Sequence, residues 1–190
     1  MDLFDIPYNR FQDIQKGDIL LAEPFMHDDN FGRSAVLICE HSPEGTFGLI
    51  LNKPSSYMIE ELTTIFTDID VYMGGPVEQN TLHFIHTIPT LDRCIPLKNG
   101  YYWGGNYEEL TKLHLAGKVT RENCRFFVGY SGWGKKQLAG ELERNSWIVA
   151  RVNLDLVLET EAALMWKEIL KQMGFPYKIL ANYPIDPSLN

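Results

Sequence analysis

The chain is short of positive charge, of cysteine and of long apolar runs, and each shortage closes off a class of function. Lysine and arginine number 17 against 25 aspartate and glutamate residues, giving a formal net charge of −8. Such a field repels nucleic acid at long range and lacks the electrostatic footprint of a duplex binder, so direct nucleic-acid binding is disfavoured. The three cysteines, Cys39, Cys94 and Cys124, are odd in number and far apart. That argues against a disulfide framework and for a reducing compartment. No apolar stretch approaches the ~20 residues that cross a bilayer. Residues 1–5 also lack the basic and apolar regions that open a secretory signal. The expected location is the cytoplasm, away from the membrane.

What is present describes a globular domain. Hydrophobic residues make up 45% of the 190-residue chain and aromatics 12%, enough to build a core without staples. Residues 18–22 and 34–41 read as strands. The turn Ser42-Pro-Glu-Gly45 predicts a hairpin to a strand at 47–52, through a loop of about four or five residues. Helical spacing covers 57–66, and short strands follow at 70–73, 81–86 and 101–103. Asn106 caps a helix with Glu109 placed for a capping box, and Gly117 closes it. After a strand at 124–128 come a helix at 135–144 and a strand at 146–152. Thr160 then caps a last helix whose buried face carries Ala162, Trp166, Ile169, Leu170 and Met173. No repeat, low-complexity run or linker interrupts this order. The chain reads as one α+β domain over residues 1–190, with an irregular tail from about 175. Its sheet is mostly antiparallel and bent or barrel-like, helices pack on it, and one strand–helix–strand unit lies near the C-terminus.

The most informative stretch is 129–141, Gly-Tyr-Ser-Gly-Trp-Gly-Lys-Lys-Gln-Leu-Ala-Gly-Glu. Glycines flanking a tryptophan predict a strand-to-helix turn whose large apolar ring either packs inward or meets a ligand. The bend Gly74, Gly75, Pro76 offers a second small-residue corner. Brought beside Tyr130, Gly132 and Trp133, it would frame a cleft, with Gln137 and Glu141 pointing one way at its mouth. Asp28, Arg33, Ser34, His41, Asn52 and His86 form a secondary polar set, each also explicable as a loop-stabilising hydrogen bond.

Four segments together carry a family resemblance. They are Gly17-Asp-Ile-Leu-Leu-Ala-Glu-Pro24 with Asp28, Phe31 and Ser34 after it; Cys39-Glu-His41 with Gly45, Gly48-Leu49 and Asn52-Lys-Pro54; Gly74-Gly-Pro-Val77 with His86; and the stretch 129–141. In this order and spacing they resemble the YqgE/AlgH family of bacterial proteins, from about Gly17 to Met173. The resemblance implies a compact α/β fold around a strongly bent, barrel-like sheet, and a cytosolic bacterial protein. Some members have been called transcriptional regulators, without a settled biochemical activity. The chain departs from the family pattern at Ser131, where alanine is common, and at Lys135-Lys136, where Pro-Gly is common. It also lacks the Gly-His-Ala-like ending of many members.

Catalytic motifs are only approached. Residues 129–136 miss a Walker loop because Lys136 stands where Ser or Thr would ligate magnesium. Ser131 misses a nucleophile elbow because Trp133 replaces the last glycine. His83 and His86, three apart on a strand, face opposite ways and make a poor ligand pair. Cys39 and His41 have no second pair to complete a metal site. The chain therefore reads as a noncatalytic binding or regulatory module with a protein or small-molecule partner, no metal and no cofactor. The alternative is an enzyme acting on a small anionic substrate at the helix start beside Gly134, with His41, His86 and Glu141 as acid–base candidates. A third reading makes Trp133 or Trp166 the anchor of an oligomer interface.

Overall fold

The computed structural model describes residues 13–56, 64–66 and 68–184. The strands are β1 (Ile19–Ala22), β2 (Ala35–Ser42), β3 (Gly45–Ile50), β4 (Val71–Met73), β5 (Val77–His86), β6 (Ile95–Pro96), β7 (Tyr102–Trp103), β8 (Cys124–Gly134) and β9 (Trp147–Ala150). The helices are α1 (Tyr107–Leu115), α2 (Gln137–Glu143), α3 (Leu156–Glu159), α4 (Ala162–Gln172) and α5 (Tyr177–Leu180). The strands form a single sheet in the order β6-β7-β5-β8-β3-β2-β1-β9, with β4 off this path beside β8, and with the helices they make an α+β fold. That path is open, with β6 and β9 at its ends. All strand pairs run antiparallel except β4 with β8. The late strand–helix–strand unit is β8-α2-β9, and its crossover passes over β3, β2 and β1.

Strand β1 and residues 35–39 of β2 read as unbroken apolar runs because both sheet faces are covered there. On one face Ile19, Leu21, Leu37 and Leu49 pack with Met165, Trp166, Ile169 and Leu170 of α4. On the other, Leu20, Val36 and Ile50 meet Trp133, Leu138 and Trp147. Each fully buried side chain of this size stabilises the fold by about 1.5–3 kcal/mol. The β2–β3 hairpin is tighter than its turn chemistry suggests. Ser42 pairs directly with Gly45, so only Pro43 and Glu44 lie between. The extra residue sits further back, where the register shifts between Ile38 and Glu40 and leaves Cys39 as a bulge.

The main correction concerns residues 129–134. They are not a strand-to-helix turn but the second half of β8, paired residue by residue with β3 (Thr46 opposite Trp133, Gly48 opposite Ser131). Gly129 has φ of 65° and marks a slip in the alternation, so Phe127 and Tyr130 both pack on the α4 face. Trp133, three residues beyond Tyr130, points to the other. The turn into α2 is only Lys135-Lys136, with Lys136 in the left-handed region at φ 61°.

Smaller differences have local causes. Asn106 accepts the Glu109 N–H as a cap, but the Glu109 carboxylate accepts from the Asp92 N–H instead of closing the box. Thr160 ends α3, and α4 starts from Glu161 with no side-chain cap. Strand β5 begins at Val77, earlier than its apolar residues suggest, through a register shift before Leu82. The helix expected at 57–66 falls mostly outside the described residues, and 64–66 are not helical. Within the tail, Tyr177–Leu180 form one helical turn.

Candidate functional site

The two glycine corners do meet, but backbone against backbone. A Cβ on Gly74 would lie 2.3 Å from the Gly129 carbonyl oxygen, and one on Gly75 would lie 2.2 Å from the Tyr130 carbonyl. Ser131, fully buried, donates its hydroxyl to the Gly74 carbonyl at 3.0 Å. The space in which a ligand's flat face would lie is filled by the chain itself. Pro76 follows as the bend into β5.

The indole of Trp133 is also closed in, at 5% exposure. It meets Trp147 edge-on at 5.8 Å and Phe31 at 6.3 Å. The Nε1–H groups of Trp133 and Trp147 both donate to Glu141 Oε2, at 2.8 and 2.7 Å. Gln137 donates to Glu141 Oε1 at 3.1 Å and accepts the Gly134 N–H at 3.0 Å. Gln137 and Glu141 thus act together, as a clamp that satisfies two buried indoles and ties α2 to β8 and β9. The other proposed anchor, Trp166, is 4% exposed and donates to the Ala22 carbonyl. Neither tryptophan is free to anchor a partner in the form expected of it.

The secondary polar set divides. Asp28 Oδ1 accepts the N–H groups of Asn30 and Phe31. Asn52 accepts from the Ala35 N–H and donates to the Arg33 carbonyl, so it pins the entry to β2 around the buried Ser34. The Arg33 guanidinium lies 4.3 Å from the centre of the Trp166 ring. These four residues share one region. His41 is at the far hairpin end, 2.7 Å from Thr46 Oγ1. His86 is remote from both: its Nδ1 accepts from the Ile88 N–H, so Nε2–H donates to the Gly104 carbonyl at 2.8 Å. Burial pulls the His86 pKa below its ordinary value, against the hydrogen bond to Gly104.

Tyr130 opens onto a different surface. Its ring stacks on Phe47 at 4.7 Å and 23°, and Phe47 also meets Trp103 at 4.7 Å and His83 edge-on at 5.2 Å. All four side chains are half-buried. Thr81 donates its hydroxyl to the Glu78 carbonyl and is 3.0 Å from His83 Nε2. That geometry makes Nε2–H the donor and leaves Nδ1 as an acceptor. Burial lowers the His83 pKa, partly opposed by Glu78. Beside this cluster lies a cleft of about 530 Å³ lined by Asn80, His83, Trp103, Gly104, Gly105 and Tyr107, among others.

Sequence reasoning missed Phe47 and Trp103 and weighed His83 as a metal ligand or a hydrolase histidine, not as part of a binding surface. Their convergence depends on pairing among β3, β8, β5 and β7, which carries no local signal. The opposed directions of Tyr130 and Trp133 were legible from their three-residue spacing, once the stretch is taken as a strand.

A family model described as AlgH-like matches residues 19–178. A UPF0301 protein of Cytophaga hutchinsonii is 43% identical over 183 residues, covering 93% of this chain and all of that relative. A second, from Bacteroides fragilis, is 38% identical over 192 residues, covering 100% and 97%. Among solved structures, a Corynebacterium diphtheriae protein superposes with a TM-score of 0.74 at 24% identity, covering 90% of this chain and 93% of that one. The AlgH protein of Pseudomonas aeruginosa gives 0.70 at 23% identity, with 89% and 94% coverage. These two likenesses speak to the fold alone. The extent of the family match and the identity of the curated relatives place the chain in the AlgH-like family.

Proposed function

We propose that this protein is a noncatalytic binding module of the cytoplasm, regulatory in effect, whose recognition surface is the aromatic cleft beside Tyr130. The observation that carries this reading is the half-buried group Phe47, His83, Trp103 and Tyr130, in which His83 and Trp103 line the cleft and Phe47 and Tyr130 pack behind them. Such rings offer a flat apolar area with few rotatable bonds, suited to a planar or aromatic group on a small molecule or protein. Asn80 and His83 Nδ1 add polar contacts that fix orientation. The acid–base candidates support a noncatalytic role, because each already has structural partners: His86 with Gly104, His41 with Thr46, and Glu141 with two indoles. The net charge of −8 favours a protein or small-molecule partner over nucleic acid.

An NMR titration with indole, adenosine and N-acetyl-tyrosinamide tests the reading. Shifts are expected at Asn80, His83, Trp103 and Tyr130, and they should disappear in Trp103→Ala. Shifts confined to residues around Trp133, or unchanged by the substitution, would overturn it.

The reading of an enzyme acting on a small anionic substrate keeps one supporting observation. A groove of about 450 Å³ is lined by His41, Gly134, Lys135 and Lys136, among others. Against it, the Gly134 N–H is already bonded to Gln137. Phosphoester turnover that falls in His41→Ala, with folding intact, would promote this reading.

A further inference from the structure

A second cleft, of about 470 Å³, lies between the entry to β2, the segment after β3 and the start of α4. Three cations from three parts of the chain line it: Arg33, Lys53 and Lys167. We propose that this cleft binds a small oxyanion, a phosphate or carboxylate group, held between these three side chains.

Arg33 is already fixed in position. Its backbone is in the left-handed region at φ 55°, with its carbonyl bonded by Asn52. Its Nη2 donates to the Tyr183 and Pro184 carbonyls at 2.9 and 2.8 Å, and its guanidinium lies over the Trp166 ring. Nε is sealed from solvent without a partner. A guanidinium held this way loses little further freedom on binding and keeps its positive charge fixed at the cleft.

Lys167 is half-buried on α4, and no described residue forms an ion pair with it. Lys53 donates to the Asp29 carbonyl, and its pKa is lowered by burial, with Asp28 and Asp29 partly opposing. A bound anion would act in the same direction as those two carboxylates.

Two further lining residues, Ala162 and Ala163, are the first of α4. The Glu161 side chain makes no cap bond, and its carbonyl serves the N–H groups of Leu164 and Met165. The first two N–H groups of the helix thus stay available at the cleft.

Acidic groups also face this region: Glu23 acts on Arg33, and Asp28 and Asp29 act on Lys53. Binding therefore depends on the local placement of donors, since no broad positive field surrounds the cleft. The cleft shares no lining residue with the one beside Tyr130, so either proposal can fail alone.

The test is a titration of the full chain with inorganic phosphate and, separately, acetate, against sodium chloride at matched ionic strength. The readouts are amide NMR shifts and thermal midpoint. We expect saturable shifts at Ala162, Ala163 and Arg33 and a raised midpoint, with the more effective anion naming the class. Lys167→Gln and Lys53→Gln leave the Arg33 anchor untouched, and each should weaken binding by about tenfold, the loss of one charge-assisted contact. Shifts no larger than those from chloride, or both variants binding as tightly as wild type, would overturn the proposal.

Discussion

Trp133 and Trp103 lie in the same sheet, each beside glycines, yet one is closed and the other open. Around Trp133 the small residues let backbone approach backbone. A Cβ on Gly45 would lie 2.8 Å from the Trp133 carbonyl oxygen, and those on Gly74 and Gly75 would collide with β8. Beside Trp103, a Cβ on Gly104 would meet nothing within 4 Å, while one on Gly105 would press on the Leu91 side chain and not on a facing strand. Glycine beside an aromatic residue therefore does not distinguish a ligand cleft from a packed corner. What distinguishes them is whether the removed side chain makes room for the protein or for solvent.

The sharpest way to break this comparison is to add one methyl group on the closed side. Gly75→Ala forces a side chain onto the Tyr130 backbone at a φ of 156°, and should cost about 3 kcal/mol or more in urea unfolding. A loss under about 0.5 kcal/mol would mean that the corner yields easily. Next in size, Glu141→Ala leaves the buried indole N–H groups of Trp133 and Trp147 unsatisfied, for about 2–4 kcal/mol in total. On the open side, Trp103→Ala should cost only about 1 kcal/mol, because the ring is half-exposed and its main partner is Phe47. Near-equal losses for the two sides would erase the distinction.

The smallest expected effect is on pH dependence. Burial holds the pKa values of His83 and His86 below their unfolded value of about 6.5. The unfolded chain then takes up protons first as pH falls. The stabilisation is complete above about pH 6.5 and is lost as pH drops through that value toward the folded pKa values. The urea midpoint of the wild type should fall from about pH 7.5 to about pH 5.5, and that of His86→Phe should fall less. Equal slopes would remove His86 from the account.

Much of the fold was legible because both-sided burial writes continuous apolar runs into β1, the first half of β2 and β9, and helical spacing marks α4. Residues 129–134 misled because three glycines and a tryptophan in six positions imitate a turn. Whether such a segment bends or pairs depends on the facing strand, and Gly45 and Gly48 of β3 supply the close partner it needs. The site was less legible for the same reason. Phe47, His83, Trp103 and Tyr130 are spread over more than 80 positions and meet only through sheet pairing. Arg33 and Asn52 stand out in the sequence as part of a polar set, but Lys53 and Lys167 come together only because α4 packs beside the segment after β3.

Hydrogen exchange of the four tryptophan indole N–H signals tests the central contrast most directly. Those of Trp133, Trp147 and Trp166 donate to Glu141, Glu141 and the Ala22 carbonyl, while Trp103 is half-exposed beside the cleft. The account predicts three slowly exchanging signals and one fast signal, with the fast one alone shifted by an aromatic probe. A Trp133 signal that exchanges as fast as that of Trp103, or that moves with the probe in its place, would contradict it.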